Sequence, residues 1–433
     1  MEEVLALAKK VAEEAEVFSI SYEDTPVQFE ANRLKHLHSR QSSGCALRLI
    51  KNGRLGLAAT NRLDEKEKLV QMALDVAQFG AEAKFQFPSR MEYPHIETYD
   101  PEAEAAPIED MVHLGQSLID RVLQVNPDIL CEGGVTKHVA TVRIINSRGG
   151  EVSYKKSVFS VGVEGTLIRG TDMLFVGDGE SSCHRLTDIT KVAQKTIRQL
   201  ELAKNTVSGP SGQLPVIFTP QGVTALLMPL VIAYNGRIVL QGASPVGHRR
   251  GEQAYSRGLT IYDDATIPFR PASRASDDEG VPARRTSLIE QGVVGDFVYD
   301  LQTAGLAGTG STGSASRGLG SLPSPSFSSI MIEEGDIAFE DMVRDIKDGV
   351  VVEQLMGASQ GNVLGGEFSG NVLLGYRIQN GELVGRVKNT MVAGNVYEAL
   401  KEGALLGKVA EWVGGSLHTP HILCPRLGVA SKE

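Results

Sequence analysis

The chain has 433 residues, 42% hydrophobic and 22% charged, a balance ordinary for soluble globular proteins and enough chain for two or three domains. Acidic residues outnumber basic ones, 53 to 43, and a net charge of −10 argues against direct nucleic-acid binding, which needs a basic footprint. Four widely spaced cysteines (Cys45, Cys131, Cys183, Cys424) with no C-x-x-C pair exclude a disulfide framework and a cysteine-cluster zinc site.

The amino-terminal MEEVLALAKKVAEEAE is acidic and amphipathic, without the basic start, apolar stretch and cleavage site of a signal peptide. Its spacing predicts a helix over 1–15. The longest apolar run, ALLMPLVIAY at 225–234, is too short to span a bilayer and contains Pro229. A cytoplasmic protein without membrane contact is expected.

Strand-like segments follow, and Asn52-Gly53 between two alternating runs predicts a hairpin. LDEKEKLVQMALDVAQFGAEA predicts a helix with Asp64 as its N-cap and Glu67 three residues on. Residues 107–125 read as an amphipathic helix, followed by a hairpin turning at Gly149-Gly150, so a helix–hairpin order occurs twice and hints at duplication. A helix within LTDITKVAQKTIRQLELAKN closes this half. The Ser-, Gly- and Pro-rich NTVSGPSGQLP (205–215) reads as a linker. The expected domains are thus 1–205, α+β with antiparallel hairpins, and 206–433, β-rich and barrel-like. In the second, QGVTALLMPLVIAYNG and AGNVYEALKEGALLGKVAEWVG (393–414) read as its helical segments.

No histidine is followed by glutamate, so an H-E-type zinc helix cannot be built from this chain. His418, His421 and Cys424 are donors at close spacing, but Pro420 and Pro425 break a helix, and in a strand His421 points away from the other two. His36 and His38 share a strand face with no acid nearby in sequence. GTGSTG (308–313) satisfies G-x-G-x-x-G without a surrounding βαβ unit, and it reads either as a structural loop or as one facing a peptide, with Arg317 as a carboxylate anchor. Cys183-His184 is too close for a catalytic dyad and no G-x-S-x-G occurs.

ASDDEGVPARRTSLIEQGVVGDFVYD (275–300), then DLQTA (300–304) and STGSASR (311–317), form an ordered series. With RLKHLHSRQSSGCALRLIKNGRLGLAAT, SRGGEVSYKKSVFSVGVEG and GEFSGNVLLGYRIQNGELVGRVKNTMVAGNVYEAL, it resembles the TldD/PmbA family over nearly the whole chain. The resemblance marks Asp277, Asp278, Glu279, Gly280, Pro282, Glu290, Gly292, Thr312, Gly313 and Arg317 as signature positions, structural or partner-facing. It implies two subunit types. The TldD type carries H-E-x-x-x-H on a helix and a late cysteine, and the TldE/PmbA type lacks these ligands and pairs with the first. Here the matching helix offers Ala225 to Leu230, apolar or proline, and Cys424 is followed by PRLGV, so the chain resembles the TldE/PmbA side.

The implied function is that of the non-metal subunit of a heterodimer that cleaves unfolded peptides. Zinc would sit on the partner, no cofactor or catalytic residue in this chain, and a homodimer would form otherwise. The alternatives are a stand-alone metal-dependent hydrolase using His418, His421 and Cys424, or a regulatory binding protein. From the residues alone, the acid triplet reads as a structural clamp in preference to a chemical role. Asp277 or Asp278 accepts backbone N–H groups, Gly280 supplies special backbone angles, Arg284 and Arg285 pair with the acids, and Thr286 caps the next element.

Overall fold

A computed structural model describes residues 1–62 and 64–432. The amino-terminal half is built on one antiparallel sheet whose strands are β1 (Glu14–Glu30), β2 (Arg33–Leu37), β3 (Arg40–Lys51), β4 (Arg54–Thr60), β5 (Leu130–Asn146), β6 (Glu151–Arg169) and β7 (Asp172–Ser182). Their order is β4-β3-β1-β5-β6-β7, with β2 folded onto β1. The Asn52-Gly53 turn has φ of 51° and 71°, the left-handed pair a two-residue hairpin demands. The second turn is tied by Asn146, whose side chain accepts from Arg148 and Gly150 N–H and donates to the Pro88 carbonyl.

Alternation along β1 gives the sheet two different faces. Ala15, Val17, Val27 and Phe29 face helices, namely Glu2–Ala8 and Lys66–Ala77 at one end and Ile108–Val125 and Thr190–Leu202 at the other. Phe18 and Ile20 look the opposite way and pack with Val142, Ile144 and Leu319. Glu16, in phase with Phe18, therefore points toward the segment that carries the acid triplet.

In the carboxy-terminal half five strands close on themselves: Gly212–Phe218, Asp348–Met356, Glu367–Gln379, Thr390–Asn395 and Leu417–Ser431. The barrel-like expectation holds. Val350, Val351 and Val352 are all buried because the two faces of that strand meet different cores. Val350 and Val352 pack with helix Pro220–Ala233, whereas Val351 packs with helices of the amino-terminal half.

Several local expectations fail. The first helix is only Glu2–Ala8, because Glu14 already pairs in β1. Helix Lys66–Ala77 has Glu65 at its N-cap without a side-chain bond, so Asp64 does not cap it. The expected linker holds strands Thr206–Ser208 and Gly212–Phe218, whose backbone groups are taken up by the large sheet despite a turn-rich composition. Within 393–414 the helix is only Val396–Lys401, and the remainder includes strand Leu405–Val413. Among the described residues no helix is long and apolar enough to cross a membrane.

Candidate functional site

The acid triplet is a clamp held by backbone donors, and it is largely buried. Asp277 and Glu279 are wholly buried, and each oxygen of Asp277 is used: Oδ1 accepts from Glu279 and Val281 N–H at 2.9 Å, and Oδ2 accepts from Ala315 N–H at 3.0 Å. Gly280, at φ 74°, turns the chain directly after Glu279, and its carbonyl accepts from the Tyr93 hydroxyl. Asp278 Oδ2 accepts from Arg317 N–H at 2.9 Å, so the triplet and the 311–317 loop are stitched together by backbone donors. Gly313, at φ 70°, lies so close to Pro282 that a Cβ there would sit 2.5 Å from the Pro282 carbonyl oxygen. Thr312 Oγ1 accepts from Tyr299 N–H at 2.8 Å, just ahead of the Asp300 capping box that starts helix Leu301–Ala307.

Glu279 reaches across to the amino-terminal sheet. Its Oε1 lies 2.5 Å from Arg48 Nη1, and its Oε2 accepts from Leu301 N–H. Arg48 Nη2 bonds Glu16 at 3.0 Å, and the other oxygen of Glu16 is 2.8 Å from Arg317 Nη2. Two acids and two guanidinium groups thus form a buried chain, Glu279–Arg48–Glu16–Arg317, across the junction of the halves. Phe85 and Phe87 flank Arg48, and Phe18 flanks Arg317, adding cation–π contact. Burial opposes the charge on Arg48, but Glu16 and Glu279 outweigh it and hold its pKa above the ordinary value. For Glu279, burial dominates and pushes the carboxyl up against the pull of Arg48, with Asp277 and Asp300 adding to the rise.

Three parts of the sequence reading need correction. Arg284 and Arg285 do not pair with the triplet: Arg284 donates to the Ser311 carbonyl, and Arg285 pairs with Glu333 and stacks on Tyr262. Thr286 caps nothing, since it lies in strand Arg285–Glu290. Glu290 and Gly292 serve the next turn, where Gly292, at φ 79°, approaches the Tyr255 carbonyl too closely for a Cβ. Arg317 does anchor a carboxylate, but that of Glu16 in the same chain. The sequence reading missed Glu16 and Arg48; Arg48 stands in the otherwise apolar run Cys45–Ile50, a signal that could have found it, whereas Glu16 follows further acids and carries no such mark.

Helix Pro220–Ala233 is the segment where the resemblance implies metal ligands in the other subunit type. Leu226 and Leu230 are buried in the carboxy-terminal core, and Ala225 to Leu230 offer neither imidazole nor carboxylate. Cys424 lies in the same core, its thiol pushed up to about 12 by burial. This donor set does not fit zinc. His418 packs on Trp412 and His421 on Phe339, with burial lowering His421 to about 4. Among the described residues no three His, Cys, Asp or Glu side chains converge as a metal set. His36 lies 4.0 Å from Glu30 across the β1–β2 turn, and β2 ends at Leu37, before His38.

Between the sheet and the barrel runs an open groove of about 890 Å³, with Gln221 and Gln354 on the barrel side. Its sheet side carries Gly134, Gly162 and Gly179, adjacent across β5, β6 and β7, so side chains are missing from a row of the floor.

Residues 211–431 match the family model for the PmbA/TldA metallopeptidase C-terminal domain, and residues 15–77 match that for domain 1. The chain belongs to the PmbA/TldD family. It is 27% identical to an uncharacterized protein of Methanocaldococcus jannaschii, over 85% of this chain and 86% of the relative. A Methanothermobacter thermautotrophicus protein named as a metalloprotease is 25% identical over 75% of this chain and 73% of its own. The fold matches the crystal structure of TldE from Thermococcus kodakarensis with a TM-score of 0.91, 26% identity and all of both chains covered. The acid triplet of this family member is thus a buried junction between its halves.

Proposed function

We propose that this chain is the TldE/PmbA-like subunit of a two-chain peptidase: it builds one wall of the chamber that admits unfolded peptide, and a zinc-bearing TldD-like sister cleaves the bond. The observation that carries this reading is the helix Pro220–Ala233, which has Ala225 and Leu230 where the sister type needs imidazoles and buries Leu226 where it needs the carboxylate. The groove supports the peptide part, because the row of glycines across its floor leaves a strip where an extended chain can approach the backbone whatever its sequence.

The test is to purify the chain alone and after co-expression with a sister carrying H-E-x-x-x-H, then measure bound zinc and digestion of unfolded casein with and without chelator. The lone chain is expected to hold no stoichiometric zinc and to leave casein intact, and the pair to digest it until chelator is added. Chelator-sensitive digestion by the lone chain would overturn the proposal.

A further inference from the structure

Arg274 is 8% exposed and, unlike Arg48 and Arg317, has no ion-pair partner among the described residues. Among the described residues its side chain makes one hydrogen bond, from Nη1 to the Ala315 carbonyl at 2.9 Å. Its Nε and Nη2, the edge of the guanidinium that binds a carboxylate side-on, are buried without a partner. A buried charge of this kind is costly unless something pairs with it. Two buried acids that feel its charge are committed to backbone donors: Asp277 accepts three backbone N–H groups, and Asp263 Oδ1 accepts from Ser328 N–H at 2.7 Å.

Arg274 lines a cavity of about 300 Å³ between the signature segment and the amino-terminal sheet. Lys156 stands on the same wall, with one ammonium N–H given to the Pro271 carbonyl at 2.8 Å. Of the other charged residues there, Arg317 is balanced by Glu16, and Asp278 has one oxygen bonded to Arg317 N–H. Phe18, Ile20, Val142 and Phe327 make the rest largely apolar. The lining therefore combines two cations lacking a dedicated carboxylate with an apolar wall in a space of one-residue size.

We propose that this cavity receives the free α-carboxylate of an apolar residue at a peptide C-terminus, held side-on by Nε and Nη2 of Arg274 with Lys156 as the second cation. That the carboxylate belongs to a peptide rests on the function proposed above; the anion site itself rests on Arg274.

The test is calorimetric titration of the full isolated chain with N-acetyl-Ala-Leu as the free acid, with its C-terminal amide, and with inorganic phosphate. The free acid is expected to bind at least about tenfold more tightly than the amide, a ratio set by charge-assisted hydrogen bonds. Arg274→Met should remove that preference while the melting temperature holds or rises, and Arg274→Lys, which keeps the charge but loses the fork, should not restore it. Equal affinity for acid and amide, no binding of the acid at millimolar concentration, or full affinity in Arg274→Met would overturn the proposal. Binding of phosphate without the acid would overturn the peptide assignment. Should Arg274→Met fail to fold, Lys156→Gln carries the test, since unchanged affinity for the acid there also overturns it. No sister chain or zinc takes part in the titration, so its failure is separate from failure of the digestion experiment.

Discussion

Replacing Arg48 with methionine tests the junction most directly. The side chain keeps its apolar packing against Phe85 and Phe87 but loses the charge that lies between Glu16 and Glu279, both 0% exposed. Removing one partner of a buried pair costs about 3–5 kcal/mol, because the remaining charge stays out of water without compensation. Lost cation–π contact adds about 1 kcal/mol. Set against a typical total stability of about 5–15 kcal/mol, the sum is large. Arg317 still pairs with Glu16, so the residual penalty falls mainly on Glu279. The double variant Arg48→Met/Glu279→Gln removes that stranded charge and should recover about half of the loss. Urea unfolding followed by fluorescence and circular dichroism measures both variants. A loss below about 1 kcal/mol in the single variant, or a double variant no more stable than the single one, would refute the view that this chain of charges holds the halves together.

Burial pushes Asp263 up to about 7, so its carboxyl keeps a proton in the fold that the unfolded chain releases near 3.8. Folding stability from this group therefore falls as pH rises from about 4 to about 7 and is level above, and Asp263→Asn should flatten that slope in melts across the window. All four cysteines are free and buried, and burial raises Cys131 and Cys183 to about 11 and Cys424 to about 12. Iodoacetamide at neutral pH should accordingly label none of them until denaturant is added, as read by mass spectrometry. Leu226→Glu, which returns a carboxylate to the position of the sister type's glutamate, should destabilise the chain by at least about 3 kcal/mol without conferring zinc binding, checked by urea unfolding and metal analysis.

The sequence determined what short-range physics controls. Asn52-Gly53 forces a left-handed turn, helix 107–125 follows from its apolar spacing, and an apolar Ala225–Leu230 supplies no metal donors whatever surrounds it. Composition misled at 205–215, where Ser, Gly and Pro suggested a linker while the sheet supplied hydrogen-bond partners that recruit strands. Only the tertiary structure decided what the acid triplet does. Arg284 and Arg285 are its neighbours in the chain, yet the cation that reaches Glu279 is Arg48, 231 residues away. Burial decides the matter, because a carboxylate withdrawn from water must find its compensation from whichever element the fold brings against it, and separation along the chain carries no record of that. The same reason kept Arg274 from notice until its incompletely partnered side chain could be seen lining a cavity.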